Sequence, residues 1–116
     1  MTDTNPLLPL SSNAFEILLA LAKEDLHGYA IIQHVSERTK GSLKLHPGTL
    51  YRVLARFLDQ GLVDEIDESP VADTSDERRR TYRMTERGRI VAAAETRRLA
   101  DQVRAAKKLK LGESSR

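Results

Sequence analysis

The sequence predicts a mainly α fold with one small β-hairpin and a long C-terminal helix, on the strength of three observations. Apolar residues recur at helical spacing in three successive segments between residues 14 and 58. Period-two alternation flanks a stretch rich in turn formers, with one run near residue 62 and its return near residue 80. From Glu86 to Leu111 the chain is rich in Ala, Lys and Arg and contains no Pro. At 116 residues it is long enough for one compact domain. With two Phe, three Tyr and no Trp, the core must come from Leu, Ile, Val and Ala, and burial against a second copy would thicken it.

Composition removes several function classes. The absence of cysteine excludes disulfides, thiolate metal sites, iron–sulfur clusters and cysteine redox sensing. The net charge is only +2, so where the charges sit matters more than their sum. Residues 1–6 carry no positive leader, and the longest apolar-rich stretch, Ala14 to Ala22, is broken by Glu16. A soluble, cytoplasmic protein without a membrane partner is expected.

The elements follow in order. Pro6 and Pro9 mark residues 1–10 as a flexible N-terminal arm. Asn13 and Glu16 have the spacing of a capping box and open a helix with Phe15, Leu18, Leu19 and Ala22 on its apolar stripe, widened by Ile17 and Leu21. After His27 and Gly28 a second helix buries Ile31, Ile32 and Val35 and stops at Gly41. Leu43 to Leu45 is expected to be a short extended segment. Pro47 and Gly48 open the third helix, where the missing proline donor costs nothing. Leu50, Val53, Leu54, Phe57 and Leu58 make it the cleanest amphipathic helix in the chain, and Gly61 ends it.

Leu62 to Asp67 predicts a strand, and Ser69 to Asp76 a loop. Arg80, Tyr82 and Met84 alternate with Thr81 and Arg83 as the returning strand. Thr85 is placed to cap the last helix, with Glu86 in its first turn. Run to Leu111, that helix would be about 40 Å long. Its large apolar residues are few: Ile90, Val91, Leu99, Val103, Leu109 and Leu111. A helix so long and polar cannot be stabilised by a small domain alone, which predicts a dimerisation arm with Ala-lined packing. The expected organisation is an arm over 1–10, a winged helix-turn-helix over 11–84, a dimerisation helix over 85–111 and a disordered tail over 112–116.

Three helices, a hairpin and a terminal helix form a winged helix-turn-helix order, and the charges fit its DNA-binding logic. With its apolar stripe buried, the third helix shows Thr49, Arg52, Ala55 and Arg56. Small residues at Gly48 and Ala55 let such a helix sit deep in a major groove. Arg52 and Arg56, one turn apart, suit guanine edges or phosphates, and Thr49 and the free amides at the helix start suit a phosphate oxygen. Tyr51 on the flank and His46 before Pro47 are further candidates for backbone contact. Arg78, Arg79 and Arg80 repel one another in a free monomer, and a polyanion relieves that repulsion. The nearby Asp73, Asp76 and Glu77 are expected to neutralise them in part.

Leu26-His27-Gly28-Tyr29-Ala30-Ile31, Pro47-Gly48-Thr49-Leu50-Tyr51-Arg52-Val53-Leu54-Ala55-Arg56, Gly61-Leu62-Val63 and Arg78-Arg79-Arg80-Thr81-Tyr82-Arg83-Met84-Thr85-Glu86-Arg87-Gly88 together resemble the PadR family of transcriptional regulators, over roughly residues 10–111. Thr81 and Met84 depart from its usual Tyr and Leu. The resemblance implies a repressor that binds a near-palindromic operator as a homodimer, paired through the C-terminal helix with the N-terminal helix beside it. The single C-terminal helix is similar to the compact members. On that basis the candidate pairing residues are Phe15, Leu19, Ile90, Val91, Leu99, Val103 and Ala106. Some relatives take a small hydrophobic effector at the dimer interface, but no residue here marks such a site.

No cofactor, metal or catalytic site is expected. His27 and His34 are seven residues apart, about 10 Å along a helix, too far to share one ion. The serines lack a base and an orienting partner. A winged-helix module that binds protein instead of DNA is the competing reading. It would place acidic or apolar residues on the outer face of the third helix, where Thr49, Arg52 and Arg56 stand.

Overall fold

The computed structural model describes residues 7–66 and 80–113. Its elements are α1 (Ser12–Lys23), β1 (Leu26–His27), α2 (Gly28–Arg38), α3 (Pro47–Gln60), β2 (Val63–Ile66), β3 (Thr81–Met84) and α4 (Glu86–Lys108). The three strands form an antiparallel sheet in the order β1-β3-β2. The observed architecture is therefore mainly helical with a small sheet, as the periodicities predict.

Helix α1 starts two residues earlier than the Asn13–Glu16 spacing implies. Ser11 is the N-cap, its hydroxyl accepting from the Ala14 amide at 3.1 Å. Glu16 is drawn instead into a bidentate pair with Arg38 at the end of α2, with Arg38 Nε donating to Glu16 Oε1 at 2.7 Å. The hydrogen bonds and charge of Glu16 raise the pKa of that guanidinium. The deepest face of α1 carries Ile17, Leu18 and Leu21, while Phe15, Leu19 and Ala22 are only half-buried. The chain just before it is not a loose arm throughout: Leu7, Leu8 and Leu10 pack against the core.

The segment from Leu43 to Leu45 is not a strand. Leu45 is buried, but among the described residues no strand pairs with it. The third strand is instead β1, where Leu26 faces Tyr82 and His27 faces Thr81. This second neighbour makes β3 the central strand. It also explains why Thr81, which alternates with Tyr82 and Met84 in sequence, is buried as they are. The Thr81 hydroxyl lies 3.1 Å from His27 Nδ1 across that pairing.

Helix α3 buries Leu50, Val53, Leu54 and Phe57 and ends at Gly61, whose φ of 75° is the left-handed conformation that glycine adopts freely. The chain enters β2 directly, pairing Val63 with Met84 and Ile66 with Thr81. Thr85 then caps α4: its hydroxyl accepts from the Gly88 amide at 3.0 Å and donates to the Gly61 carbonyl at 2.7 Å. Arg87 Nε reaches the Gln60 carbonyl at 3.1 Å. Gly88 packs so closely that a Cβ there would overlap the Leu62 carbonyl oxygen and approach Met84 Cγ to 3.0 Å. These contacts seat the start of α4 on the junction of α3 and β2. Helix α4 ends at Lys108, short of Leu111, because the chain turns at Lys110 and Gly112, both at positive φ. At 23 residues it is about 35 Å long.

Candidate nucleic-acid interface

With its apolar side committed to the core, α3 presents an exposed stripe of Gly48, Arg52, Ala55, Arg56 and Asp59. His46 and Pro47 are exposed at its start, and Thr49 is half-buried at the edge. Its N-cap His46 makes no side-chain cap bond, which leaves first-turn amides without that partner at the positive end of the helix. A Cβ built at Gly48 would meet nothing, so the surface there is open to close approach. Tyr51 lies on the flank of α3. It is half-buried, with its ring and hydroxyl against Gly28, and so helps set α3 against α2.

Among the described residues Arg52 and Arg56 have no acidic partner. The other arginines nearby are tied down. Arg83 reaches Asp25 at 3.0 Å, and Arg80 Nε pairs with Glu65 at 3.1 Å across the sheet. An unpartnered guanidinium keeps its five donors for an incoming phosphate or guanine. Arg78 and Arg79, with the acidic Asp73, Asp76 and Glu77, lie outside the described residues. The partner that the structure shows for Arg80 is Glu65, a strand residue that loop-based reasoning passed over. Asp59 was also passed over, although its spacing of seven from Arg52 places it on the same stripe.

The expected pairing residues divide into four groups. Val91 is wholly buried in the chain's own core and has no surface for a partner, because the first turns of α4 are covered by the domain. Leu99 and Ala106 are half-buried and Val103 is 52% exposed; their spacing of four and three makes one stripe. That stripe continues the side of α4 that buries Gly88 and Glu95 further up. Ile90 is 38% exposed but lies about two and a half turns from Leu99, on the opposite side. Phe15 and Leu19 stay half-buried on α1. Near the end of α4, Val103, Ala106 and Leu111 line an open concavity of about 470 Å³.

The sequence profile of the PadR-like transcriptional regulator family matches residues 17–94, well over half of the chain. The chain belongs to the PadR-like family of transcriptional regulators. A PadR family transcription regulator from Clostridium difficile has the same fold, with a TM-score of 0.70 at 24% identity, covering 85% of this chain and 98% of that one. Bacillus subtilis PadR, solved in complex with operator DNA, aligns with a TM-score of 0.63 at 20% identity over 74% of this chain and 47% of that one. An uncharacterized protein of Lysinibacillus sphaericus is 35% identical over 74 residues. That match spans 63% of this chain and 64% of the relative's length. The PadR-like family consists of transcription regulators, not enzymes. Among the described residues no helix is long and apolar enough to cross a membrane.

One polar residue of this PadR-like chain escaped sequence reasoning entirely. Glu95, in the middle of α4, is 1% exposed. Arg98 grips both of its oxygens, through Nε at 2.6 Å and Nη2 at 2.8 Å, and the Leu10 amide donates to Oε2 at 3.2 Å. Those bonds from Arg98, reinforced by the Leu10 amide, hold the Glu95 carboxyl below the usual carboxylate range, although burial opposes them. Glu95 raises the pKa of Arg98 in return. A Glu among Ala, Thr and Arg carries no sequence signal of burial, since its cover comes from a segment 85 residues away.

Proposed function

We propose that this PadR-like chain pairs with a second copy through α4 and sets two α3 helices into successive major grooves of a near-palindromic operator, repressing the promoter it covers. It acts in the cytoplasm, beside the DNA it binds. The observation that carries this is the exposed stripe of α3, where Arg52 and Arg56 stand one turn apart with no acidic partner among the described residues. The first turn of α3 supports it, since amides without a side-chain cap there suit a phosphate. The operator complex of Bacillus subtilis PadR shows that a chain of this fold engages operator DNA. Pairing is supported by the stripe of Leu99, Val103 and Ala106, which lies beyond the last residue that α4 buries and stays half-buried or exposed.

The test begins with duplexes enriched by the wild-type protein from a random-sequence pool. Each guanidinium is expected to contribute about 1–3 kcal/mol of specific affinity. The double variant Arg52→Glu, Arg56→Glu should therefore lose measurable binding by fluorescence anisotropy at moderate salt. Its mass by light scattering should equal that of the wild type. Binding that survives the reversal refutes this placement of the DNA.

A further inference from the structure

Residues 7–11 touch both working helices. On one side the Leu10 amide is held by Glu95 of α4. On the other, Leu7, Pro9 and Leu10 face Val53, Arg56 and Gln60 of α3 across a cleft of about 320 Å³. Leu7, Leu8 and Leu10 also pack on the core, so the segment is a strap and not a tether. Arg56 lines this cleft, whereas Arg52, one turn earlier on the same stripe, does not. The two arginines, neither with an acidic partner among the described residues, therefore differ: Arg56 shares a cleft with the strap, while Arg52 does not. A long side chain with part of its rotamer space already removed loses less freedom when it is ordered on a ligand.

We propose that Glu95 is a positioning residue for DNA recognition, acting through the strap it holds to restrict the side chain of Arg56. The proposal rests on the DNA-binding role given above. Glu95 has a geometry suited to the task. Its carboxylate is excluded from water, fixed by two bonds from Arg98, and left with one direction for the Leu10 amide. That amide precedes the N-cap Ser11, so no helical carbonyl is available to it. Without Glu95 the strap loses its polar anchor to α4 and keeps only apolar contacts, which have no preferred direction.

The test is a pair of double-mutant cycles, read as affinity for a duplex enriched by the wild-type protein. Glu95→Met keeps the volume and removes the acceptor, and the Arg98 side chain, 32% exposed, can turn its freed guanidinium to water. It should weaken binding about fivefold in the wild-type and Arg52→Ala backgrounds, but less than about twofold in the Arg56→Ala background, as expected for coupled side chains. Hydrogen exchange at the Leu10 amide should quicken in the same variant. If Glu95→Met does not fold, Glu95→Gln serves in the same cycles. It keeps the size and an acceptor but loses the charge that Arg98 grips, and should give a smaller loss with the same dependence on Arg56. Equal losses in all three backgrounds, no loss, or a gain in affinity would overturn the proposal. Failure of the wild type to enrich any duplex would overturn the DNA-binding role as well, which distinguishes the two failures.

Discussion

Helix α3 buries a residue on nearly every turn, at Leu50, Val53, Leu54 and Phe57, whereas α4 buries Gly88, Val91 and Glu95 and then nothing further to its end at Lys108. Both are amphipathic, but only α3 is supported along its whole length by its own chain. The outer half of α4 has Ala for helix propensity and a stripe at Leu99, Val103 and Ala106 that is half-buried or exposed. Their charges differ in the same sense. Arg98 and Arg104 of α4 pair with Glu95 and Asp101, each three residues earlier, while Arg52 and Arg56 of α3 have no acidic partner among the described residues. A fully seated helix can hold its charges in fixed positions; a half-seated one leaves apolar surface open.

The largest effect that would sharpen this contrast is the loss of the α3 anchor. Phe57→Ala should cost about 3–5 kcal/mol in urea unfolding, as for a buried aromatic truncated in a packed core. The matching change in α4, Val103→Glu, should leave secondary structure intact because the site is half exposed. It should instead reduce the particle from a dimer to a single 13.0 kDa chain by light scattering and remove the concentration dependence of the melting temperature. A wild-type protein that is already monomeric at micromolar concentration would break the comparison. Thr85→Ala removes the cap that ties α4 to the end of α3 and should cost about 1 kcal/mol.

The smallest effect is one of acidity. The folded state holds Glu95 below its ordinary pKa, so its contribution to stability is present above the unfolded carboxylate value of about 4.3 and is lost as the pH falls toward the folded value. Wild-type stability should therefore decline more steeply than that of Glu95→Met as the pH drops from about 5. Parallel declines would show that the carboxylate contributes nothing.

Legibility in the sequence followed the range of the interactions. Helix α3 could be read whole, because its period, Pro47 and Gly61 are local signals. The cap at Thr85 was equally plain, as a hydroxyl three residues before the amide it binds. At the start of α1 three consecutive residues, Ser11, Ser12 and Asn13, all suit a cap, and the spacing to Glu16 favoured the wrong one once Arg38 is taken into account. Strand β1 is two residues long and has no period; its partner Thr81 lies 54 residues from His27. The site shows the same division. Arg52 and Arg56 follow from helix arithmetic, whereas the assignment of Val91 to the core, the partner of Arg80 and the burial of Glu95 depend on how distant elements dock.

The most direct measurement is a hydroxyl-radical footprint of the wild-type protein on an enriched duplex. Two copies joined along α4 should protect two patches on one face of the duplex, centred one helical turn apart, roughly 34 Å. A single protected patch, or uniform protection indifferent to sequence, would contradict the account.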